Sequence, residues 1–171
     1  GKAVNLPLAS VVSKDMFPDV DLVVAPDHGA MTRAMGVSTA IGFRTVLWAT
    51  KVRDQASGRI LSLTLGSTVL AQNGAGAFGD VRNILVVDDI IDGGYTFRLL
   101  AAELNKHFPG IRRQLLCTHG VFGGSCTPPL DSEYAYVSTT DSCSNAVVGK
   151  NVERIIPVVE RLTIERSLLH A

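Results

Sequence analysis

Aromatic residues make up only 6% of the 171-residue chain, so its core has to come from Val, Leu, Ile and Ala. Cysteine is scarce as well. Cys117, Cys126 and Cys143 are an odd number without CxxC spacing, which argues against a disulfide framework or structural zinc and for reduced thiols. An excess of one charge is missing: 16 basic residues meet 16 acidic ones, for a formal net charge of zero. That balance excludes a sequence-independent grip on nucleic acid or on an anionic membrane, so any anion site must be local. No apolar run approaches the ~18 residues of a membrane span. The N-terminus also lacks the basic-then-apolar order of a signal peptide, and the expected setting is cytoplasmic. The first residue is Gly1 rather than Met, as in a processed chain, a tag remnant or a piece of something longer.

What is present is an apolar fraction of 46% with 19% charged residues, the balance of a globular domain expected to span 1–171 as one unit. Two apolar runs end in acidic residues with glycine behind them. One is Leu22 to Asp27 followed by Gly29; the other is Ile84 to Asp89 followed by Gly93 and Gly94. Near-continuous Val/Ile/Leu runs of this length suit strands buried on both faces. Helical spacing follows each: Met31 to Ile41, then Phe97, Leu100, Ala101, Leu104 and Phe108 before the Pro109-Gly110 stop. Further strands are expected at Thr45–Ala49, Arg113–Thr118, Tyr134–Ser138 and Arg154–Val158. Ile60–Leu65 and Ser67–Gln72 read as a hairpin turned at Gly66, and Val159–His170 as a closing helix. Asn73–Asp80 is glycine-rich but lacks the Lys-[Ser/Thr] of a P-loop, and reads as a turn. Alternating strands and helices predict an α/β doubly wound, mainly parallel sheet, with ligands at the carboxyl ends of its strands.

The chemistry concentrates in Asp88-Asp89-Ile90-Ile91-Asp92-Gly93-Gly94-Tyr95-Thr96. The strand delivers two adjacent carboxylates to its carboxyl end. Gly93 and Gly94 allow the backbone to curl with N–H groups inward, and a helix starting near Tyr95 adds free N–H groups and its positive dipole end. Such a loop suits a dianionic phosphate, with the Thr96 hydroxyl as a further donor. Asp88 and Asp89 then lie where they can accept from two vicinal hydroxyls, or act through a hard divalent cation. Phosphate at one end and a diol at the other describe ribose 5-phosphate. The plainer alternative is a capped helix after a strand with solvated carboxylates.

Ile84–Phe97 resembles the phosphoribosyl-pyrophosphate (PRPP) motif of type I phosphoribosyltransferases and PRPP synthetases: four apolar residues, an acid pair, two apolar residues and a small-residue loop. Gly93 departs from the usual Thr, and Tyr95 from the common Gly. Further segments resemble PRPP synthetases in order along the chain. These are Ala25–Ala30 with Arg33-Ala34, Lys51-Val52-Arg53, Thr118–Gly124 and, loosely, Ser138–Ser142.

That resemblance implies the second half of a ribose-phosphate diphosphokinase, with a type I phosphoribosyltransferase fold. The reaction moves a diphosphoryl group from ATP to the 1-hydroxyl of ribose 5-phosphate. Lys51 and Arg53, at the root of a flexible loop, are then the catalytic cations, Mg2+ the cofactor and Asp27 a metal-holding position. The first half, which supplies much of the ATP site in such enzymes, has no counterpart before Val4. A missing N-terminal half or a homo-oligomer is expected to complete the site. Each residue also has a structural reading: surface charge for Lys51 and Arg53, a helix cap for Asp27, a strand-end residue for His119, loop surface for His28 and core for Trp48. Two other classes share the cradle. One is a phosphoribosyltransferase, with 49–79 as its long loop; the other is a binding subunit without turnover.

Overall fold

The computed structural model describes residues 6–42, 45–70, 81–123, 130–143 and 152–158. The closing helix expected at Val159–His170, the turn at Asn73–Asp80 and Cys126 lie outside these residues.

Among the described residues seven strands form one sheet: β1 Leu22–Ala25, β2 Val46–Arg53, β3 Ile60–Leu70, β4 Asn83–Ile91, β5 Arg112–Gly120, β6 Tyr136–Thr140 and β7 Val152–Ile156. Their order is β3-β2-β1-β4-β5-β6-β7. Every pairing is parallel except β2 with β3, which is antiparallel. Two α-helices follow the acid-ended strands: α1 Met31–Ala40 after β1 and α2 Tyr95–His107 after β4. The doubly wound, mainly parallel sheet is thus present, with one antiparallel edge strand.

Alternation along β1 and β4 distributes their side chains between two apolar layers. Leu22, Val24, Ile84 and Val86 pack with Phe97, Leu100, Ala101 and Leu104 of α2. Val23, Ala25, Leu85 and Val87 pack with Ala34 and Val37 of α1 and with Leu8, Val11 and Phe17 of the N-terminal segment. Burial on both faces accounts for the unbroken aliphatic runs. The spacing i, i+3, i+4, i+7 in α2 is its buried stripe. Trp48 is half-buried against the α1 layer. Among the described residues no helix is long and apolar enough to cross a membrane.

The structure corrects several expected boundaries. Gly66 is not a turn, because β3 runs through it, with a shift of register against β2 between the Ala49–Leu65 and Leu47–Thr68 pairs. A Cβ at Gly66 would lie 2.9 Å from Trp48 Nε1 and 3.0 Å from the Trp48 carbonyl oxygen, so the glycine serves close approach to β2. The reversal lies instead at 54–59. There Asp54 accepts from Ser57 N and Oγ at 2.8 and 2.6 Å, and Gly58 adopts φ 68°. Lys51 and Arg53 therefore sit on a strand, and much of 49–79 is paired β-ribbon rather than loop. β6 begins at Tyr136. Tyr134 leaves the strand to bury its ring, and its hydroxyl donates to the Phe97 carbonyl at 2.9 Å.

Candidate functional site

In this strand order the chain winds one way from β1 to β2 and the other way from β4 to β5. The carboxyl ends of β1 and β4 part at a topological switch point, where open α/β sheets leave a crevice. The residues named from sequence line one cleft of about 840 Å3 at that point. Asp27 comes from the turn after β1, Lys51 and Arg53 from β2, Asp88 and Asp89 from the end of β4. Asp92, Gly93, Gly94, Tyr95 and Thr96 come from the loop and first turn of α2.

The glycine loop closes because Gly94, the residue capping α2, sits at φ 73°, a left-handed conformation that costs glycine little. Its carbonyl accepts from the amides of Phe97 and Arg98, both at 3.1 Å. A second loop supports the first from the side. After β5, the Val121 and Phe122 amides donate to the Ile91 carbonyl at 2.9 and 3.0 Å. Gly123 lies against the Asp92 carboxylate so closely that a Cβ there would collide with it. Phe122 is held at φ 49°, a conformation costing a non-glycine residue about 1–3 kcal/mol.

Asp88 and Asp89 differ in their surroundings. The Asp88 side chain is 13% exposed and that of Asp89 53%, so only Asp88 is strongly desolvated. Burial, reinforced by the charges of Asp89 and Asp27, pushes the Asp88 carboxyl up to about 7, against the Asp89 amide that donates to it at 2.8 Å. Arg33, from the first turns of α1, bridges both, with Nη1 at 3.5 Å from Asp88 and Nη2 at 3.3 Å from Asp89. The sequence reading placed Arg33 in a matching segment without giving it this role. The pairing joins residues 55 positions apart, and no local pattern signals it.

Lys51 and Asp27 also meet, with Nζ 2.7 Å from Oδ2 and the Lys51 side chain only 8% exposed. Burial would raise the Asp27 carboxyl. The Lys51 hydrogen bond and charge, together with the Ala30 and Gly29 amides, outweigh it and hold the carboxyl below its ordinary value. Asp27 thus does cap the turn after it, accepting from Ala30 N at 3.1 Å, and it pairs with Lys51 besides. Arg53 donates to the Gly58 carbonyl at 3.0 Å, and Arg59 lines the cleft from the opposite arm of the ribbon. His28 is exposed loop surface. His119 is exposed at the end of β5, its Nδ1 2.7 Å from Ser142 Oγ, and does not line the cleft.

Among the described residues no three His, Cys, Asp or Glu side chains converge as a metal cage. The carboxylates of the cleft are hard oxygen donors, suited to Mg2+, which typically takes one or two carboxylates and completes its shell with water and substrate phosphate. A metal at Asp27 would share that carboxylate with Lys51 on Oδ2 and the Ala30 amide on Oδ1.

No family model matches the chain. It is 27% identical over 167 residues to a ribose-phosphate pyrophosphokinase of Thermococcus kodakarensis, covering 96% of this chain and 53% of that protein. To the pyrophosphokinase of Vibrio parahaemolyticus it is 30% identical over 161 residues, covering 90% and 44%. To a xanthine-guanine phosphoribosyltransferase of Roseobacter denitrificans it is 33% identical over 87 residues, covering 50% and 49%. Among solved structures, a phosphoribosylpyrophosphate synthetase from Mycobacterium smegmatis superposes with a TM-score of 0.61 at 20% identity, covering 90% of this chain and 46% of that one. The chain spans about half the length of the curated relatives it matches.

Proposed function

From a chain of the type I phosphoribosyltransferase fold that is similar to ribose-phosphate pyrophosphokinases, we propose a domain that binds ribose 5-phosphate and PRPP. Within a longer chain or assembly it takes part in transferring diphosphate from ATP to the ribose 1-hydroxyl. The observation that carries this reading is the convergence, at one switch-point cleft, of the α2 N-terminus, the Asp88–Asp89 pair and Lys51.

In this reading the amides of Gly93 to Thr96 and the Thr96 hydroxyl hold the 5-phosphate, with Asp92 closing the loop. Asp88 and Asp89 accept from the two ribose hydroxyls and fix the sugar, taking over from Arg33. Lys51 leaves Asp27 for the moving phosphoryl group, where Arg53 joins it and offsets charge that grows in the transition state. Asp27, released, is the residue that would hold Mg2+, whose contribution when bound is to neutralise and align phosphate oxygens. In this reading part of the ATP site comes from outside these residues, as the pyrophosphokinases the chain resembles are about twice the matched length. A homo-oligomer or an N-terminal half would supply the remainder.

Calorimetry with ribose 5-phosphate and Mg2+ tests the binding claim, and the absence of heat and of a thermal shift at millimolar ligand would refute it. A coupled assay for AMP release tests the transfer. Release is expected to be negligible for this chain alone and to appear once a pyrophosphokinase N-terminal half is supplied.

A second reading has its own observations. A xanthine-guanine phosphoribosyltransferase of Roseobacter denitrificans is similar over half of this chain, and Leu61 and Ile90 present exposed apolar side chains to the cleft. Such a surface suits a flat base, as a phosphoribosyltransferase requires. Pyrophosphate release from PRPP with a purine, without AMP release from ATP, would establish that alternative.

A further inference from the structure

Gly93 and Gly94 form the least restricted peptide of the phosphate loop, since neither residue carries a Cβ. Left to itself this peptide can flip, and a flip decides what the loop offers an anion. A trans peptide points its carbonyl and the following N–H in opposite directions. Arg98, one turn into α2, donates from Nη1 to the Gly93 carbonyl at 3.2 Å. Its Nε lies 3.6 Å from Glu133 Oε1. Gly93 and Gly94 line the cleft, whereas Arg98 and Glu133 do not. The guanidinium thus holds this carbonyl from a residue that does not line the cleft, and a carbonyl held away from the cleft leaves the Gly94 N–H to face it.

The brace behind Arg98 is itself anchored. Arg113 Nε donates to the Glu133 carbonyl at 2.8 Å, and the Ala135 amide returns a bond to the Arg113 carbonyl at 2.8 Å. Tyr134, next in the chain, ties the same short segment to the first turn of α2 through Phe97.

We infer that Arg98 is a positioning residue: braced by Glu133, it fixes the Gly93–Gly94 peptide so that the Gly94 amide faces the bound phosphate. The inference rests on the ribose 5-phosphate reading above. With the pin removed, the flipped peptide would turn a carbonyl oxygen toward an anion, which repels it.

The test compares wild type with Arg98→Met, Arg98→Lys and Glu133→Gln. Each is titrated with ribose 5-phosphate by calorimetry, and the Gly94 amide is followed by NMR in 15N-glycine-labelled protein. Wild type is expected to bind and to move the Gly94 amide proton downfield. Arg98→Met is expected to lose about tenfold in affinity, the scale of one charge-assisted hydrogen bond, together with the Gly94 shift. Arg98→Lys, which keeps a donor and a charge, should recover part of both, and Glu133→Gln should fall between Lys and wild type. Wild-type affinity and an unchanged Gly94 shift in Arg98→Met overturn the inference while leaving the phosphate reading intact. Wild type that fails to bind overturns the reading and the inference with it. If Arg98→Met does not fold, Arg98→Lys and Glu133→Gln decide: both indistinguishable from wild type count against the pin.

Discussion

Under the proposed function, Asp88 is the residue at which stability and binding oppose each other. Its folded value of about 7 lies above the ordinary 3.8, so between about pH 4 and 7 the folded state holds more proton than the unfolded chain. The contribution of this group is therefore greatest below pH 4, is lost as pH rises to about 7, and stays lost above it. Asp88→Asn removes the penalty of ionising a buried acid. The variant is expected to be more stable than wild type at pH 8 by about 1–3 kcal/mol, after allowing for the lost Arg33 pair, with the gain vanishing toward pH 4. Thermal melts at the two pH values check this, and the same variant should bind ribose 5-phosphate more weakly. Asp27 behaves in the opposite sense. With Lys51→Met the hydrogen bond and charge that lower it most are gone, and its carboxyl should rise, as 13C titration of that group would register.

Individual elements were legible where one chemical cause dominated. β1 and the Ile84–Val87 part of β4 read directly because both faces are buried and only Val, Leu, Ile and Ala fill them. α2 read directly from Phe97, Leu100 and Leu104. The β3 ribbon did not, since glycine marks turns and close contacts alike, and the ring that demands Gly66 sits on Trp48 in a different strand. Gly66→Ala separates the two meanings. A turn would tolerate alanine with modest loss, whereas contact with Trp48 predicts a destabilisation of about 1–3 kcal/mol by denaturant unfolding. The candidate site divides in the same way. The loop 92–96 carries its chemistry in consecutive residues, but the ion pairs from Arg33 and between Lys51 and Asp27 arise only when the sheet has formed. Nor does sequence spacing disclose that Gly123 sits on Asp92. Gly123→Ala is expected to push that carboxylate aside and weaken ribose 5-phosphate binding several-fold, measured by calorimetry, with only a small shift in melting temperature.

At the scale of the molecule, ligand binding and stability are linked by mass action. Ribose 5-phosphate at a hundred times its Kd should stabilise the fold by about 2.7 kcal/mol, which for a chain of this size corresponds to roughly 5–10 °C in thermal melts. Absence of that shift in wild type would remove the basis of the proposed function. The strand order has a further consequence. β1 and β4 are neighbours, yet the chain leaves them in opposite directions, so the two windings of the sheet share a single seam of backbone bonds between Leu22–Val24 and Ile84–Val86. Under the proposed function, substrates held by Lys51 and a metal on Asp27 on one side of that seam, and by Asp88 to Thr96 on the other, would act as a rivet across it. Amide protons in β2 and in β5, far apart along the chain, should then slow their exchange together when the cleft is filled.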